Sequence, residues 1–417
     1  MSWKKRRGFK ELTFVDDALR SYLSLFDPIS EYEDISVYDA IGRVLPHDIL
    51  SPIDLPPFDR SAVDGYAVRS MDLSGASEGS PVRLKVIGLS TTSAPFEGRI
   101  DEGEAVRIDT GARMPEGADA VVMLEFTDRK GEFIEVFKPV SPMENVSVKG
   151  EDIRKGEIIV YGGIPLTPYD IANLVNIGMY RVKVIRKIKV GIVAIGSELL
   201  EYSDDLPLGK IRETNRVMIK SLLKDFPIEF KDYGILPDDH NIVREVILRG
   251  VSENDLMISI GGSSLGEGDV VTDIAEELGE IVVHGVALYP SRPVLLSRVD
   301  NKPYIGVPGY PVAAAISTKV FIQPLILHLS SIQGTYIECI VRGRLTRRVA
   351  SKIGLRHYVR VKVKMGDEIL IEPVYASGAG VLSSLSLGDG YLVIPEDVEG
   401  YDKGDYVDVI LYRKIIR

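Results

Sequence analysis

The chain has 417 residues, 45% of them hydrophobic, which is enough for roughly two to four domains with substantial cores. A net charge of −11 argues against a nucleic-acid-binding protein, and the single cysteine, Cys339, excludes a disulfide framework or a multi-thiolate metal site within one chain. The five histidines form no HxxxH or HxH pair, so any metal is expected to be a hard cation held by oxygen atoms.

The sequence is expected to contain neither a membrane span nor a secretory signal. No apolar run approaches the ~20 residues of a membrane span. The basic N-terminal residues are not followed by the apolar run of a secretory signal. We therefore expect a cytoplasmic protein that contacts neither membrane nor nucleic acid.

The first predicted elements are helices. Thr13-Phe-Val-Asp16 has the pattern of a capping box, and Val15, Leu19 and Leu23 supply an apolar stripe behind it. A second short helix is predicted over residues 37–44. Thr167-Pro-Tyr-Asp170 is another capping box, with Pro168 at the first helical position.

The residue pattern changes from helical to strand-like over residues 54–140. Short β-branched runs alternate there with turns rich in glycine and proline, such as Met114-Pro-Glu-Gly-Ala-Asp119. The predicted strands are Val82–Val86, Ala105–Ile108, Ala120–Leu124 and Phe133–Phe137. We predict a small β domain at 54–140, inserted into a helical, elongated domain that is split into 1–53 and 141–185.

Strands and helices alternate over residues 186–333, which predicts an α/β domain with a doubly wound, mostly parallel sheet covered on both faces. The predicted strands are Lys189–Ile195, Tyr233–Leu236, Asp255–Ile260 and Tyr304–Val307. The predicted helices are Asn215–Phe226, Asn241–Val251, Asp269–Leu278 and one from Pro311 towards Leu329 that Pro324 kinks. After residue 334 only strand patterns remain, so 334–417 is predicted to be a small β barrel, with a β sandwich as the alternative.

A glycine-rich motif, Ser259-Ile-Gly-Gly-Ser-Ser-Leu-Gly-Glu-Gly-Asp269, follows one buried strand and precedes a helix. Glycines allow a ligand to approach the backbone, and a helix start offers unpaired N–H groups to an anion. Ligands bind at these carboxyl ends of parallel strands. The motif therefore favours phosphate binding, with a simple βα turn as the alternative.

Acidic residues follow three strands of the same sheet. Ala194-Ile-Gly-Ser-Glu198 brings Glu198 to one strand end, Asp269 lies beyond the glycine-rich motif, and Asp238 closes a third strand. Carboxylates beside a phosphate-binding loop suit Mg²⁺, which takes one or two carboxylates together with phosphate oxygens. The alternative is structural, because these residues also cap helices and form turns.

Two further motifs are less informative when taken alone. Pro308-Gly-Tyr-Pro311 has the pattern of a structural turn before a helix. Phe58-Asp-Arg-Ser-Ala-Val-Asp-Gly-Tyr-Ala-Val68 contains small residues around Asp64, which suits close approach of a ligand or a partner but also an ordinary turn.

Together these segments resemble the MoeA family of molybdopterin molybdenumtransferases, which includes the gephyrin E domain. The resemblance covers roughly residues 13–412 and is most specific in the first two of its segments. The matching segments are Ser61–Ala67, Arg107–Ala112 with Pro115–Val122, Lys149–Ile153, Gly196–Leu199, Thr214–Arg216, Gly261–Gly266 with Asp269, and Pro308–Pro311.

The resemblance implies a four-domain homodimer whose active sites are shared between subunits. It also implies a transferase that inserts molybdate or tungstate into adenylylated molybdopterin, a small anionic substrate, with Mg²⁺-dependent release of AMP during molybdenum cofactor biosynthesis. The implied catalytic residues are Asp64, Thr110, Glu198 and Asp269. The implied metal ligands are Glu198, Asp238, Asp269 and Asp152. The implied binding residues are Gly261, Gly262, Ser263, Ser264, Gly266, Ser197, Arg292, Pro308 and Pro311.

Two motifs depart from the family pattern. Where the family usually shows Lys-Pro-Gly-Lys-Pro, this chain has Tyr289-Pro-Ser-Arg-Pro293, and Pro-Gly-Asn-Pro has become Pro308-Gly-Tyr-Pro311. These changes leave a second hypothesis open, a non-catalytic molybdopterin-binding or scaffold paralogue of the same fold. A third, nucleotidyl transfer by the α/β domain alone, leaves the flanking β domains without a function.

Overall fold

The computed structural model describes residues 12–202, 205–262, 270–332, 338–374 and 378–413. These residues form two compact units: one comprises Met1–Pro46, Gly163–Leu166 and Val182–Arg417, and the other comprises His47–Gly162 and Thr167–Arg181. The helices are α1 (Val15–Leu23), α2 (Pro168–Asn176), α3 (Asn215–Leu222), α4 (His240–Glu253), α5 (Val270–Leu278), α6 (Pro311–Ser317), α7 (Gln323–Leu329) and α8 (Ser383–Leu387). The division into four domains stays a prediction.

The second unit contains the inserted β domain that the sequence predicts. Its six-stranded sheet has the order Ala120–Met123, Gly65–Val68, Glu104–Ile108, Val82–Ser90, Phe133–Val136 and Thr127–Lys130. All pairings are antiparallel except the one between the third and fourth strands. Two-stranded pairs join Arg60–Ser61 to Val146–Ser147 and Ile49–Leu50 to Ile158–Val160.

The two predicted capping boxes had opposite outcomes. At α2, the Thr167 hydroxyl accepts the Asp170 N–H, and the Asp170 carboxylate accepts the Thr167 N–H at 2.7 Å, which confirms the prediction. At α1 the prediction was wrong, because Phe14 is the N-cap and caps nothing with its side chain. The Thr13 backbone instead pairs with Gly285 and Ala287, so the helix begins one residue too late for Thr13 to cap it.

The N-terminal region also departs from its predicted helical pattern. α1 buries Val15, Ala18 and Tyr22. The Tyr22 hydroxyl donates a 3.0 Å hydrogen bond to the Ser297 carbonyl. The predicted helix over 37–44 was wrong: only Val37–Asp39 forms a 3-10 turn. The chain cannot continue as a helix because Gly42 adopts a φ of +71°.

The central sheet of the first unit has six strands, in the order Ile228–Leu236, Ile188–Ile195, Leu256–Ile260, Lys302–Val307, Leu295–Val299 and Gly279–His284. The first four are parallel, as predicted, and the last two, which were not predicted, are added through antiparallel pairings. One face packs on α1, α3 and α6, and the other packs on α4 and α5. Both faces are therefore covered, as a parallel sheet requires.

The helix that begins at Pro311 is interrupted before Pro324. A π-helical turn at Thr318–Ile322 separates α6 from α7, and this wider turn accommodates a proline that cannot donate a backbone hydrogen bond. By length and composition Pro311–Leu329 could cross a membrane, so the expectation that no apolar run approaches this length was wrong. However, 72% of its apolar window is buried, and core helices of soluble proteins pass the same test.

The C-terminal strands close into a five-stranded barrel, as predicted. The barrel strands are Ile340–Leu345, Arg356–Lys364, Leu370–Pro373, Gly390–Ile394 and Tyr406–Leu411. Each pairs with two neighbours, and the pairing of Arg356–Lys364 with Gly390–Ile394 completes the ring. Leu288–Tyr289 pairs in parallel with Arg356–His357, which attaches the chain beside the central sheet to the barrel within the first unit.

Candidate functional site

A cavity of about 780 Å³ lies at the carboxyl ends of the parallel strands in the first unit. Its volume falls within the range of small-molecule sites, and its position is the one at which open α/β sheets bind ligands. The lining residues are Ile195, Gly196, Glu198, Leu199, Ile211, Arg212, Glu213, Thr214, Asn215, Asp238, Ile260, Gly261, Gly262, Arg292, Pro293, Pro308, Gly309, Tyr310, Pro311 and Gly380.

The first half of the predicted phosphate loop lines this cavity. Gly261 and Gly262 have φ values of +83° and +67°, which disfavour residues with a side chain. A Cβ atom on Gly261 would also lie 2.5 Å from the Ile195 carbonyl oxygen. The loop therefore requires glycine at both positions. Ser263, Ser264, Gly266 and Asp269 lie outside the described residues, so their assignments stay predictions.

Two neighbouring strand ends are joined by a reciprocal pair of hydrogen bonds. The Ser197 N–H donates to the Asp238 carboxylate at 2.8 Å, and the Asp238 N–H donates to the Ser197 hydroxyl at 3.1 Å. Glu198, the next residue, folds back so that a Cβ on Gly196 would lie 2.8 Å from its Oε2. Glu198 and Asp238 thus line one cavity, and their role as metal ligands stays a prediction.

These two carboxylates fit a hard cation that keeps water and phosphate oxygens among its ligands. They do not by themselves form a complete metal cage. Within the described ranges, no group of three or more histidine, cysteine, aspartate or glutamate side chains is placed to hold a metal. Asp152, the fourth predicted ligand, belongs to the second unit, where its N–H donates to the Leu55 carbonyl at 3.0 Å.

A buried charge network supports the wall of the cavity at the start of α3. Glu213 is only 5% exposed, and its carboxylate accepts the N–H groups of Asn215 and Arg216. The Arg216 guanidinium contacts Glu213, Glu201 and Asp232. Burial acts to lower the pKa of Arg216, but its hydrogen bonds to Asp232 and Glu201 hold that pKa above the ordinary value.

Asn215 was not singled out by the sequence analysis beyond its place in the matching Thr214–Arg216 segment. Its Nδ2 donates to the Gly309 carbonyl at 2.7 Å, which ties the start of α3 to the turn before α6. Its Oδ1 is buried and has no hydrogen-bond partner among the described residues. The sequence signal that could have identified Asn215 is the acidic residue Glu213, two positions before an asparagine at a helix start.

Arginine and proline residues also line the cavity. Arg212 and Arg292 line it, together with Pro308 and with Pro311, the first residue of α6. The Arg292 carbonyl accepts the Val286 N–H at 2.9 Å, which holds the backbone of this cavity-lining residue. The predicted binding residues Ser197, Arg292, Pro308 and Pro311 therefore lie at or beside one site, although Ser197 lines an adjacent shallower pocket.

The two remaining predicted catalytic residues meet in the second unit. One oxygen of the Asp64 carboxylate accepts the Thr110 N–H at 2.7 Å and the Thr110 hydroxyl at 2.9 Å. These hydrogen bonds lower the pKa of Asp64, with a smaller contribution from the Arg107 charge. Asp64 is therefore held as an exposed, ionised carboxylate.

Comparison with known proteins connects these features. Residues 13–178 match the model of the MoeA N-terminal region (domain I and II), residues 191–328 match one described as "Probable molybdopterin binding domain", and residues 342–412 match the MoeA C-terminal region (domain IV). A Methanocaldococcus jannaschii protein named for molybdopterin biosynthesis is 37% identical over 93% of this chain and 96% of its own.

Two further relatives agree with these matches. The molybdopterin molybdenumtransferase of Staphylococcus epidermidis is 33% identical over 91% of this chain and 90% of its own. The crystal structure of a molybdopterin biosynthesis MoeA protein from Pyrococcus horikoshii superposes with a TM-score of 0.85 at 34% identity, covering 96% of this chain and all of that one (100%).

Proposed function

Because this chain belongs to the MoeA family, we propose that it inserts molybdate or tungstate into adenylylated molybdopterin, with Mg²⁺-dependent release of AMP. The observation that supports this proposal is the cavity, which is lined by the Gly261–Gly262 turn, by Glu198 and Asp238 and by two arginines. A turn of this kind suits phosphate, carboxylates suit Mg²⁺, and arginine suits an oxyanion.

The proposed reaction has two parts, insertion of the metal and cleavage of the phosphoanhydride. The two dithiolene sulfurs form bonds to molybdenum, and one oxide of the oxyanion leaves with the two thiol protons as water. One water is consumed when the phosphoanhydride breaks, which yields AMP and the pterin phosphate. When bound, Mg²⁺ supplies positive charge that neutralises the pyrophosphate.

The residues of this chain orient the substrate. The backbone at Gly261 and Gly262 binds the phosphates. Arg292 binds the oxyanion, because it is the only cationic residue in the Tyr289–Pro293 motif. Glu198 and Asp238, with Asp269, would hold the metal. The hydrogen bonds between Ser197 and Asp238 keep two strand ends together, so these carboxylates stay aligned.

We propose further that the protein is a cytoplasmic homodimer with sites shared between subunits. Asp64 and Thr110 belong to a separate compact unit from the cavity, and Thr110 holds the Asp64 carboxylate exposed and ionised. In a two-fold dimer such a contribution is reciprocal, so that each subunit completes the site of its partner.

The test is release of AMP from adenylylated molybdopterin by the purified protein, with Mg²⁺ and with molybdate or tungstate. We expect release that requires both the metal and an oxyanion. The second candidate function, a binding or scaffold paralogue, is favoured by the tyrosines at positions 289 and 310. Tight substrate binding without AMP release, with either oxyanion and any divalent metal, would establish the scaffold function instead.

A further inference from the structure

Tyr310 is a large aromatic residue in the wall of the cavity, with 65% of its surface exposed. It precedes α6 and occupies a position at which the MoeA family motif has asparagine. Exposed aromatic rings inside a concave site are typical of ligand recognition, because a ring offers a large rigid contact area at low cost in conformational entropy.

The Tyr310 ring lies beside the backbone of the C-terminal barrel region. A Cβ atom at Gly380 would lie 3.2 Å from Tyr310 Cδ1 and 3.5 Å from Cε1. Gly380 does not have a positive φ, so its backbone would accept other residues. The tyrosine ring is therefore the nearest group that a side chain at this position would meet.

The backbone around Tyr310 is held on both sides. The Gly309 carbonyl accepts the Asn215 amide at 2.7 Å, and the Tyr310 carbonyl accepts the Ala314 N–H at 2.9 Å. The Val312 N–H, which is unpaired within its own helix start, donates to the Ala379 carbonyl at 2.9 Å. Ala379 thus holds the helix start, and Gly380, the next residue, lies against the ring.

We propose that Tyr310 stacks on the planar heteroaromatic ring of the substrate, and that Gly380 sets the position of the tyrosine ring. The inference rests on the proposed function and adds a specificity-determining residue to it. Arg212 and Arg292 line the same cavity, so a ligand with both a flat ring and a phosphate fits the site. Adenine and pterin share this chemistry.

The test is calorimetric binding of three probes to the full-length protein: AMP, a pterin carrying a side-chain phosphate, and ribose 5-phosphate, which has no ring. We expect Tyr310→Ala to weaken binding of at least one ring-bearing probe by roughly five- to a hundredfold, the range for loss of one stacked base. Tyr310→Phe should retain affinity within about twofold, because it keeps the stacking face. Ribose 5-phosphate affinity should not change.

Gly380→Ala supplies a second variant that leaves the tyrosine in place. It should weaken the same probe, because the new Cβ displaces the ring. Gly366→Ala is the matched control, since its Cβ would meet nothing closer than the Glu368 carbonyl oxygen at 3.6 Å. Wild-type affinity of Gly380→Ala would overturn the role of Gly380.

The probes also separate the two sources of the ring. Loss of AMP affinity alone assigns the adenine to Tyr310, and loss of pterin affinity alone assigns the pterin. The stacking proposal fails if the wild type binds neither ring-bearing probe, if Tyr310→Ala binds both as tightly as the wild type, or if ribose 5-phosphate loses the same factor. A wild type that shows the stacking effect but releases no AMP would refute the proposed function alone.

Discussion

The side-chain amide of Asn215 donates a 2.7 Å hydrogen bond to the main-chain carbonyl of Gly309, across 94 residues of sequence. This bond joins the first residue of α3 to the turn that precedes α6, and both ends line the same cavity. Glu213 fixes the other end by accepting the Asn215 N–H at 2.7 Å. Asn215 therefore acts as a positioning residue for the cavity wall.

Replacement of this amide by a carboxylate should disrupt the wall. In Asn215→Asp the carboxylate would face the Gly309 carbonyl and the buried Glu213, so we expect a loss of about 1–3 kcal/mol in stability. Ligand affinity should fall with it. Asn241→Asp, at an exposed site on α4, is the matched control. Thermal unfolding and calorimetry measure both effects, and wild-type behaviour of Asn215→Asp would show that the bond has no positioning role.

Glu198 is predicted to act through its charge. We expect Glu198→Gln to reduce Mg²⁺-dependent AMP release by about a hundredfold or more, since a bound metal contributes several kcal/mol of charge stabilisation. Asp269→Asn should act similarly. The melting temperature of both variants should hardly change. Glu245→Gln, on the exposed face of α4, is the matched control. A large drop in melting temperature would instead assign a structural role.

Shared active sites predict complementation between two inactive variants. Asp64→Asn keeps an oxygen that can accept the Thr110 hydrogen bonds but loses the charge, so its local structure should survive. In a mixed dimer with Glu198→Gln, one site carries both lesions and the other carries neither. After unfolding, mixing and refolding of equal amounts, activity should return to roughly one quarter of wild type. Mixed dimers seen by mass spectrometry without recovered AMP release would place Asp64 outside the partner's site.

Arg292 is predicted to bind the oxyanion. We expect Arg292→Ala to raise the half-saturating molybdate or tungstate concentration roughly ten- to a hundredfold, the range for one charge-assisted hydrogen bond. Pterin binding should weaken less. Arg292→Lys should lie between the two, because lysine keeps the charge without the bidentate geometry. An oxyanion dependence identical to that of the wild type would exclude this role.

The pH dependence of stability should contain a contribution from His357. Burial, helped by the Arg360 charge, lowers the pKa of His357 from 6.5 to about 4. Between these two pKa values the unfolded chain binds a proton that the folded chain does not, so stability falls as the pH falls, by at most about 1.4 kcal/mol per pH unit. Because the imidazole is only half-buried, the slope should be smaller than this limit.

His357→Phe should remove this contribution while preserving the edge-on contact with Tyr289, whose ring centroid lies 4.8 Å away. The measurement is the difference in melting temperature between wild type and variant, from pH 7 down to pH 4.5. The gap should shift in favour of the variant as the pH falls. A constant gap would contradict the lowered pKa.

Local patterns in the sequence determined much of the fold. Apolar periodicity located the four parallel strands and the helices between them, because burial on both faces of a sheet demands continuous apolar runs. Glycines 261 and 262 identified a turn that only glycine adopts readily. The two antiparallel strands were missed although Asp300-Asn301, with φ values of 48° and 58°, carries the signature of a tight hairpin.

The tertiary structure decided which distant residues meet. Three such contacts depend on strand order and on the closure of the barrel: Ser197 with Asp238, Asn215 with Gly309, and Tyr310 with Gly380. Thr13 likewise lost its capping function to a backbone pairing with residues 285–287. Periodicity reports only whether a side chain is buried, whereas these contacts depend on how separate elements pack. For that reason the residue types of the site could be predicted from the sequence, but not the contacts that hold them in place.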